Sequence, residues 1–127
     1  MRGIIWFRSD LRTDDNPALL SAINNCQEII AIYIFSELQW KLHHESNIKH
    51  EFLINNLNLL EKSLKKLNIP LIAINTQSFE TLSKDLCSFA AKQNIDHIFW
   101  NNEFGFNEYE RDLAVIESSK KIDIKTF

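Results

Sequence analysis

Residues 4–19 read IIWFRSDLRTDDNPAL, and three features of this stretch predict the fold. It opens with a continuous apolar run from Ile4 to Phe7, which is typical of a strand buried on both faces of a sheet. A charged loop follows, and Asn16-Pro17 then places a helix N-cap before a proline at the first helical position. The stretch therefore predicts a buried strand, a polar turn and a helix that covers the sheet.

Further strands are predicted by the same kind of apolar run along the rest of the 127 residues. The runs lie at residues 29–35, 71–74, 97–100 and 122–127. They are continuous rather than alternating, which favours a parallel sheet with helices on both faces. The chain ends on an apolar strand, so we expect it to be part of a longer protein.

Helices are predicted between these strands. They begin near Asn47, Ser78 and Asn107, and Glu110 stands three residues after Asn107 as a capping-box partner. The helix from Asn47 has one stripe of leucines at three- and four-residue steps, namely Leu53, Leu57, Leu60, Leu64 and Leu67. We therefore predict a three-layer α/β/α domain over residues 1–127, with an open, parallel, five-stranded, Rossmann-like sheet and right-handed crossovers.

Composition narrows the class of protein. A hydrophobic fraction of 45% and a charged fraction of 24% are ordinary for one globular domain, and a net charge of -3 argues against a strongly basic nucleic-acid-binding face in this segment. Cys26 and Cys87 lie far apart in apolar patterns, which predicts buried free thiols. The first apolar run is too short for a signal peptide or a membrane span, which favours a cytoplasmic protein.

Ligand chemistry is limited by the scarcity of glycine. Gly3 and Gly105 are the two glycines of the chain, and they cannot build a dinucleotide fingerprint or a P-loop. No nucleophile stands at a useful spacing from a base, so we predict no catalytic residue. His43, His44 and His50 are interpreted as ordinary loop and helix-surface histidines rather than metal ligands.

A ligand of such a sheet is expected beyond the carboxyl ends of the strands, where the strand order reverses. Four loops leave those ends, at residues 8–15, 36–46, 75–77 and 101–106. In the first of these loops we predict an ion-pair network that fixes its shape. Its members would be Arg8, Asp10, Arg12, Asp14 and Asp15.

Residues 6–19 resemble the opening motif of the DNA photolyase/cryptochrome family, in which Trp-Phe-Arg, one residue, Asp-Leu-Arg and then Asp-Asn, one residue, Ala-Leu follow at fixed spacing. Gln39-Trp40 is a second match, and Asn107-Glu108 with Arg111-Asp112 is a third. The resemblance covers the whole chain. It identifies the chain as similar to the N-terminal antenna domain, and more narrowly to that of a folate-type cyclobutane pyrimidine dimer photolyase.

The resemblance implies a function that this domain shares with a second one. In the family, a C-terminal helical domain holds FAD, binds damaged DNA and repairs cyclobutane pyrimidine dimers by light-driven electron transfer from the reduced flavin. The N-terminal domain contacts the helical domain and helps to bind a light-harvesting chromophore in the cleft between them. A chain limited to residues 1–127 would therefore lack FAD and repair activity of its own.

The resemblance also implies which residues bind the chromophore. A histidine shortly after the Gln-Trp pair corresponds to His43, and an Asn-Glu pair opening the fourth helix corresponds to Asn107 and Glu108. These three are the predicted ligands of 5,10-methenyltetrahydrofolate. A pterin edge presents a ring N–H beside an amine, and the carboxylate of Glu108 can accept from both.

Two alternatives stay open. One is a cryptochrome-type blue-light receptor without repair, which these motifs hardly separate from a photolyase. The other is a free-standing nucleotide-binding α/β domain, although the phosphate loops of such domains use glycines that this chain lacks. Residues 102–106 also depart from the more tyrosine-rich run that is common in the family.

Overall fold

The computed structural model describes residues 1–8, 10–35, 47–76, 81–101, 106–121 and 124–126, with side chains at all of these except 47–50, 106–111, 121 and 125. Strands and helices alternate along the chain. The elements are β1 (Arg2–Phe7), α1 (Pro17–Asn25), β2 (Glu28–Phe35), α2 (Asn47–Lys65), β3 (Leu71–Asn75), α3 (Leu82–Lys92), β4 (His97–Phe99), α4 (Phe106–Lys121) and β5 (Lys125–Thr126).

The strands form one parallel sheet in the order β3-β2-β1-β4-β5. β1 lies in the middle, pairing along its whole length with β2 and over Gly3–Ile5 with β4. The predicted α/β fold, with a parallel sheet and four helices, is confirmed. Beyond the four main strands, the last predicted strand is described only at Lys125–Thr126, where two residues pair with β4.

Each face of the sheet is covered by its own pair of helices, which gives the predicted three layers. One apolar cluster joins β1 and β2 to α3 and α4, and contains Ile4, Trp6, Ile32, Leu86 and Val115. The opposite cluster joins the same strands to α1 and α2, and contains Ile5, Phe7, Leu19, Leu60 and Leu64. The odd and even residues of β1 point to opposite faces, so one strand contributes to both clusters.

The ends of the first helices test the predicted boundaries. Asn16 is the N-cap of α1, and its side-chain oxygen accepts a hydrogen bond from Leu19 N at 3.1 Å, as predicted. α2 ends at Lys65, so Leu67 lies beyond the helix and is 47% exposed, and its predicted place in the leucine stripe is wrong. Ser78, the predicted start of the third helix, lies outside the described residues.

Asparagine takes the place of glycine where α2 and α3 end. Asn68 and Asn94 have φ angles of 59° and 56°, the left-handed conformation that usually favours glycine at this position. In each turn the next residue, Ile69 or Ile95, donates its N–H to a carbonyl five residues earlier at 3.0 Å. Both isoleucines are 5% exposed, so each helix ends by directing an apolar side chain into the core.

Cys26 and Cys87 are buried free thiols, as predicted. Burial raises the pKa of both, and a hydrogen bond between Cys87 and Ser119, 3.6 Å apart, opposes part of that rise for Cys87. Among the described residues, no helix has the length and apolar character needed to cross a bilayer.

Gly3 on β1 is required by close packing. A β-carbon at this position would stand 2.6 Å from Cys26 Sγ and 3.2 Å from a ring carbon of Phe99. We therefore expect Gly3→Ala to lower the free energy of unfolding by about 1–3 kcal/mol, measured by urea denaturation. Gly3→Ala combined with Cys26→Ala should recover much of this loss, because the second change removes the sulfur. A double variant as unstable as the sum of the singles would contradict this account.

Candidate functional site

The candidate site lies at the carboxyl edge of the sheet, where β1 and β4 end side by side. From β1 the chain proceeds through β2 and β3 on one side and then returns to β4 and β5 on the other. The strand order therefore reverses between β1 and β4, and ligands of open α/β sheets bind in the crevice beyond such a point. Arg8 follows β1 here, and Trp100 and Asn101 follow β4.

Asn101 joins the loop after β1 to the start of α1. Its side-chain nitrogen donates to Asp10 Oδ2 at 2.6 Å and to Asn16 Oδ1 at 2.7 Å, and its side-chain oxygen accepts from Ala18 N at 3.0 Å. Every hydrogen-bonding position but one of this amide is used. Asp10 is held from the other side, because its Oδ1 accepts from Arg8 N at 2.9 Å.

Arg8 joins β1 to α4 through a buried ion pair. Its Nη1 donates to Asp112 Oδ1 at 2.6 Å, and both residues are 7% exposed. Its Nη2 donates to the backbone oxygen of Asn101, and its guanidinium carbon lies 4.9 Å from the centre of the Trp6 ring. The guanidinium therefore contacts β1, the end of β4 and α4 together.

The predicted ion-pair network within residues 8–15 is wrong for Arg8, whose described ionic partner is Asp112 on α4. Arg12 contacts the backbone oxygen of Asp15 at 3.1 and 3.2 Å rather than a carboxylate. The physical reason is burial: Arg8 is withdrawn from water at the end of a core strand and needs a buried carboxylate, while Arg12 is exposed.

Aromatic and hydroxyl side chains complete the edge. The rings of Trp6 and Trp100 meet edge to face, with centroids 5.5 Å apart and planes at 68°. At the end of β3, the hydroxyl of Thr76 lies 2.8 Å from that of Thr81 and donates to Asp85 Oδ2 at 2.6 Å. The last contact ties the end of β3 to α3.

The side chains of the three predicted chromophore ligands are not among those that the structure describes. His43 falls within residues 36–46, outside the described residues. Asn107 and Glu108 are in the first turn of α4, whose backbone is described from Phe106. Because α4 begins at Phe106, Asn107 lies inside the helix, and its predicted place as the N-cap is wrong. Position 108 is one turn before Asp112.

The described polar groups of the edge mainly engage each other, which suits a scaffold rather than a reacting centre. The role of Asn101 was not predicted from the sequence, although its position directly after a buried strand was a usable signal. The pairing of Arg8 with Asp112 had no local signal, since the residues are 104 positions apart.

Comparisons with known proteins agree on one family. A family model described as DNA photolyase matches residues 3–127. The chain is 35% identical over 127 residues to the deoxyribodipyrimidine photo-lyase of Buchnera aphidicola subsp. Acyrthosiphon pisum, covering 99% of this chain and 26% of that protein. It is 34% identical over 125 residues to cryptochrome-1 of Arabidopsis thaliana, covering 98% of this chain and 17% of that protein.

A solved structure supports the same fold. An archaeal photolyase from Sulfolobus tokodaii, described as holding two FAD molecules with the implication of a novel light-harvesting cofactor, aligns with a TM-score of 0.81 and 25% identity. The alignment covers 100% of this chain and 29% of that one. The chain spans about a quarter of the length of the photo-lyases that it matches.

Proposed function

Because this chain belongs to the DNA photolyase family, we propose that it is the light-harvesting-cofactor domain of a deoxyribodipyrimidine photo-lyase. The observation that carries the proposal is the family match over residues 3–127 together with 35% identity to a photo-lyase across 99% of the chain. The whole cytoplasmic protein would bind damaged DNA and FAD through a C-terminal helical domain, and would split cyclobutane pyrimidine dimers by light-driven electron transfer from the reduced flavin.

The chromophore proposed for this domain is 5,10-methenyltetrahydrofolate, held by His43, Asn107 and Glu108. The donor set fits by chemistry, because amide, carboxylate and imidazole groups match the amine, ring N–H and carbonyl of a pterin. It also fits by topology: His43 follows β2 and the Asn-Glu pair follows β4, which are the two neighbours of β1 in the sheet. When bound, the folate would absorb near-ultraviolet and blue light and pass excitation to the flavin.

A second chromophore is supported by a specific relative. The Sulfolobus tokodaii photolyase is described as holding two FAD molecules, and it shares 25% identity with this chain. FAD as the antenna would need a cradle for its diphosphate, and this chain has only two glycines with which to build one. This shortage and the Asn107-Glu108 pair favour the folate.

A cryptochrome without repair is the alternative for the whole protein. The chain is 34% identical to cryptochrome-1 and 35% identical to the Buchnera photo-lyase. This domain alone therefore separates the two functions weakly. The photo-lyase is preferred because it recurs among the relatives, including those of Salmonella typhimurium, Vibrio cholerae and Escherichia coli.

The folate assignment predicts a spectroscopic result. Full-length protein reconstituted with methenyltetrahydrofolate should show a near-ultraviolet band in addition to the flavin absorption. Glu108→Ala should raise the Kd for the folate about tenfold or more. The reason is the loss of paired, charge-assisted hydrogen bonds to the pterin edge, each contributing about 1.5–3 kcal/mol. Band intensity after gel filtration measures retention.

Glu117→Ala is the matched control, because it removes an exposed carboxylate from the same helix more than two turns further on. It should leave folate retention unchanged. Equal retention in the Glu108 and Glu117 variants would show that Glu108 is not a ligand. Recovery of FAD at two molecules per chain, with no folate uptake, would favour the second chromophore.

A further inference from the structure

We propose that the buried Arg8–Asp112 ion pair is a positioning device that fixes the orientation of the first half of α4 at the ligand edge. This inference rests on the proposed function, because α4 carries Asn107 and Glu108 in its first turn. Neither Arg8 nor Asp112 is proposed to touch the chromophore. Their role is to hold the helix that presents its ligands.

The geometry of Arg8 makes it suitable for this role. A guanidinium is a rigid planar fork, so its hydrogen bonds fix direction as well as distance. One arm reaches Asp112 on α4 at 2.6 Å, and the other reaches the backbone oxygen of Asn101 after β4. The face of the group lies on Trp6, at 4.9 Å from the ring centre. Helix, sheet edge and core are thus set relative to one another by a single side chain.

Other described contacts of α4 lack this directionality. Val115 is fully buried in the apolar cluster beneath α3 and α4, and Ile116 packs against that cluster. Apolar contacts of this kind oppose separation of the helix from the sheet but tolerate rotation and sliding. Ser119 makes a polar contact to Cys87 at 3.6 Å, but it lies two turns beyond Asp112, away from the ligand edge.

Asp112 is well placed to control the first turn of the helix. An α-helix rises 1.5 Å per residue, so position 108 lies about 6 Å along the axis from Asp112. Because the two positions are so close, a change in the orientation of the helix at Asp112 also moves position 108. A binding site whose side chains are misplaced by about 1 Å commonly fails to bind its ligand.

Positioning can be separated from stability by replacing both members of the pair. A buried ion pair replaced by apolar side chains of similar volume is often as stable as before, or more so. The variant Arg8→Met/Asp112→Leu should therefore unfold near the wild-type urea midpoint, while losing the directional contact. The experiment compares this double variant with wild type and with Glu117→Gln, which changes one exposed charge on α4.

Two readouts are taken on the full-length protein. Amide hydrogen exchange of the peptide covering residues 106–112 should be about tenfold faster in the double variant, with exchange in β1 unchanged. The Kd for methenyltetrahydrofolate, from fluorescence titration, should rise about tenfold. Glu117→Gln should match wild type in both.

The outcomes separate this inference from the proposed function. Unchanged exchange in α4, or unchanged folate affinity despite faster exchange, overturns the positioning role. The positioning role is also overturned if the rise in Kd simply follows the loss of unfolding free energy from variant to variant. Wild-type protein that takes up no folate contradicts the proposed chromophore, and the exchange of α4 then decides the positioning role by itself.

Discussion

Replacement of Arg8 by methionine should lower the free energy of unfolding by about 3–5 kcal/mol, the range measured when one member of a buried ion pair is removed. The substitution leaves the Asp112 carboxylate 7% exposed and without the guanidinium that faces it at 2.6 Å. The carbonyl of Asn101 loses a donor at the same time. Urea denaturation followed by circular dichroism measures the loss.

Arg12→Met is the matched control, because Arg12 is exposed and contacts only the backbone oxygen of Asp15 among the bonds described for its side chain. Its cost should stay below about 1 kcal/mol. If the two arginine variants were equally stable, the ion pair would not be buried in solution as the structure describes. A large loss of unfolding free energy in the Arg8 variant alone would support the buried ion pair.

Trp6→Ala should be comparably damaging, with a loss of about 3–5 kcal/mol. Trp6 is 1% exposed and is one of the largest fully buried side chains. Its removal leaves a cavity beside Trp100 and takes away the ring beneath Arg8. The free energy of unfolding from urea titration tests the magnitude, and near-ultraviolet circular dichroism reports the loss of the tryptophan pair.

Two further variants show whether the effect of Trp6 comes from burial. Trp6→Phe keeps an aromatic ring in the core and should cost less than half as much as Trp6→Ala. Phe52→Ala removes a large apolar side chain that is 68% exposed, and its cost should be below about 0.5 kcal/mol. A Trp6→Ala variant as stable as the Phe52 variant would contradict the assignment of Trp6 to the core.

The features predicted correctly from the sequence are local ones. The apolar run from Ile4 to Phe7 is a central strand because its length and continuity suit a sheet covered on both faces. Asn16-Pro17 starts a helix because both residues act within one turn. Signals of this kind depend on near neighbours, so the sequence shows them directly.

The contacts that were missed are long-range ones. Five charged side chains between Arg8 and Asp15 suggested partners close in sequence, yet Arg8 pairs with Asp112 across 104 positions. Only the strand order, which places β4 and α4 beside β1, brings these residues together. Leu67 failed for a different reason: the helix ends at Lys65, and Leu67 lies in the tighter turn that follows, where its N–H bonds to Leu64 O and its side chain is exposed.

The division of the core between two faces has a consequence for the order in which a ribosome makes the domain. Residues 1–75 hold β1, β2, β3, α1 and α2, and they include every buried residue of the cluster beneath α1 and α2 except Phe99. In the part of the chain that the structure describes, the helices that cover the other face, with Ile4, Trp6 and Ile32, are α3 and α4, which are synthesised later. Until those helices have been made, the apolar residues of this face have no α3 or α4 to cover them.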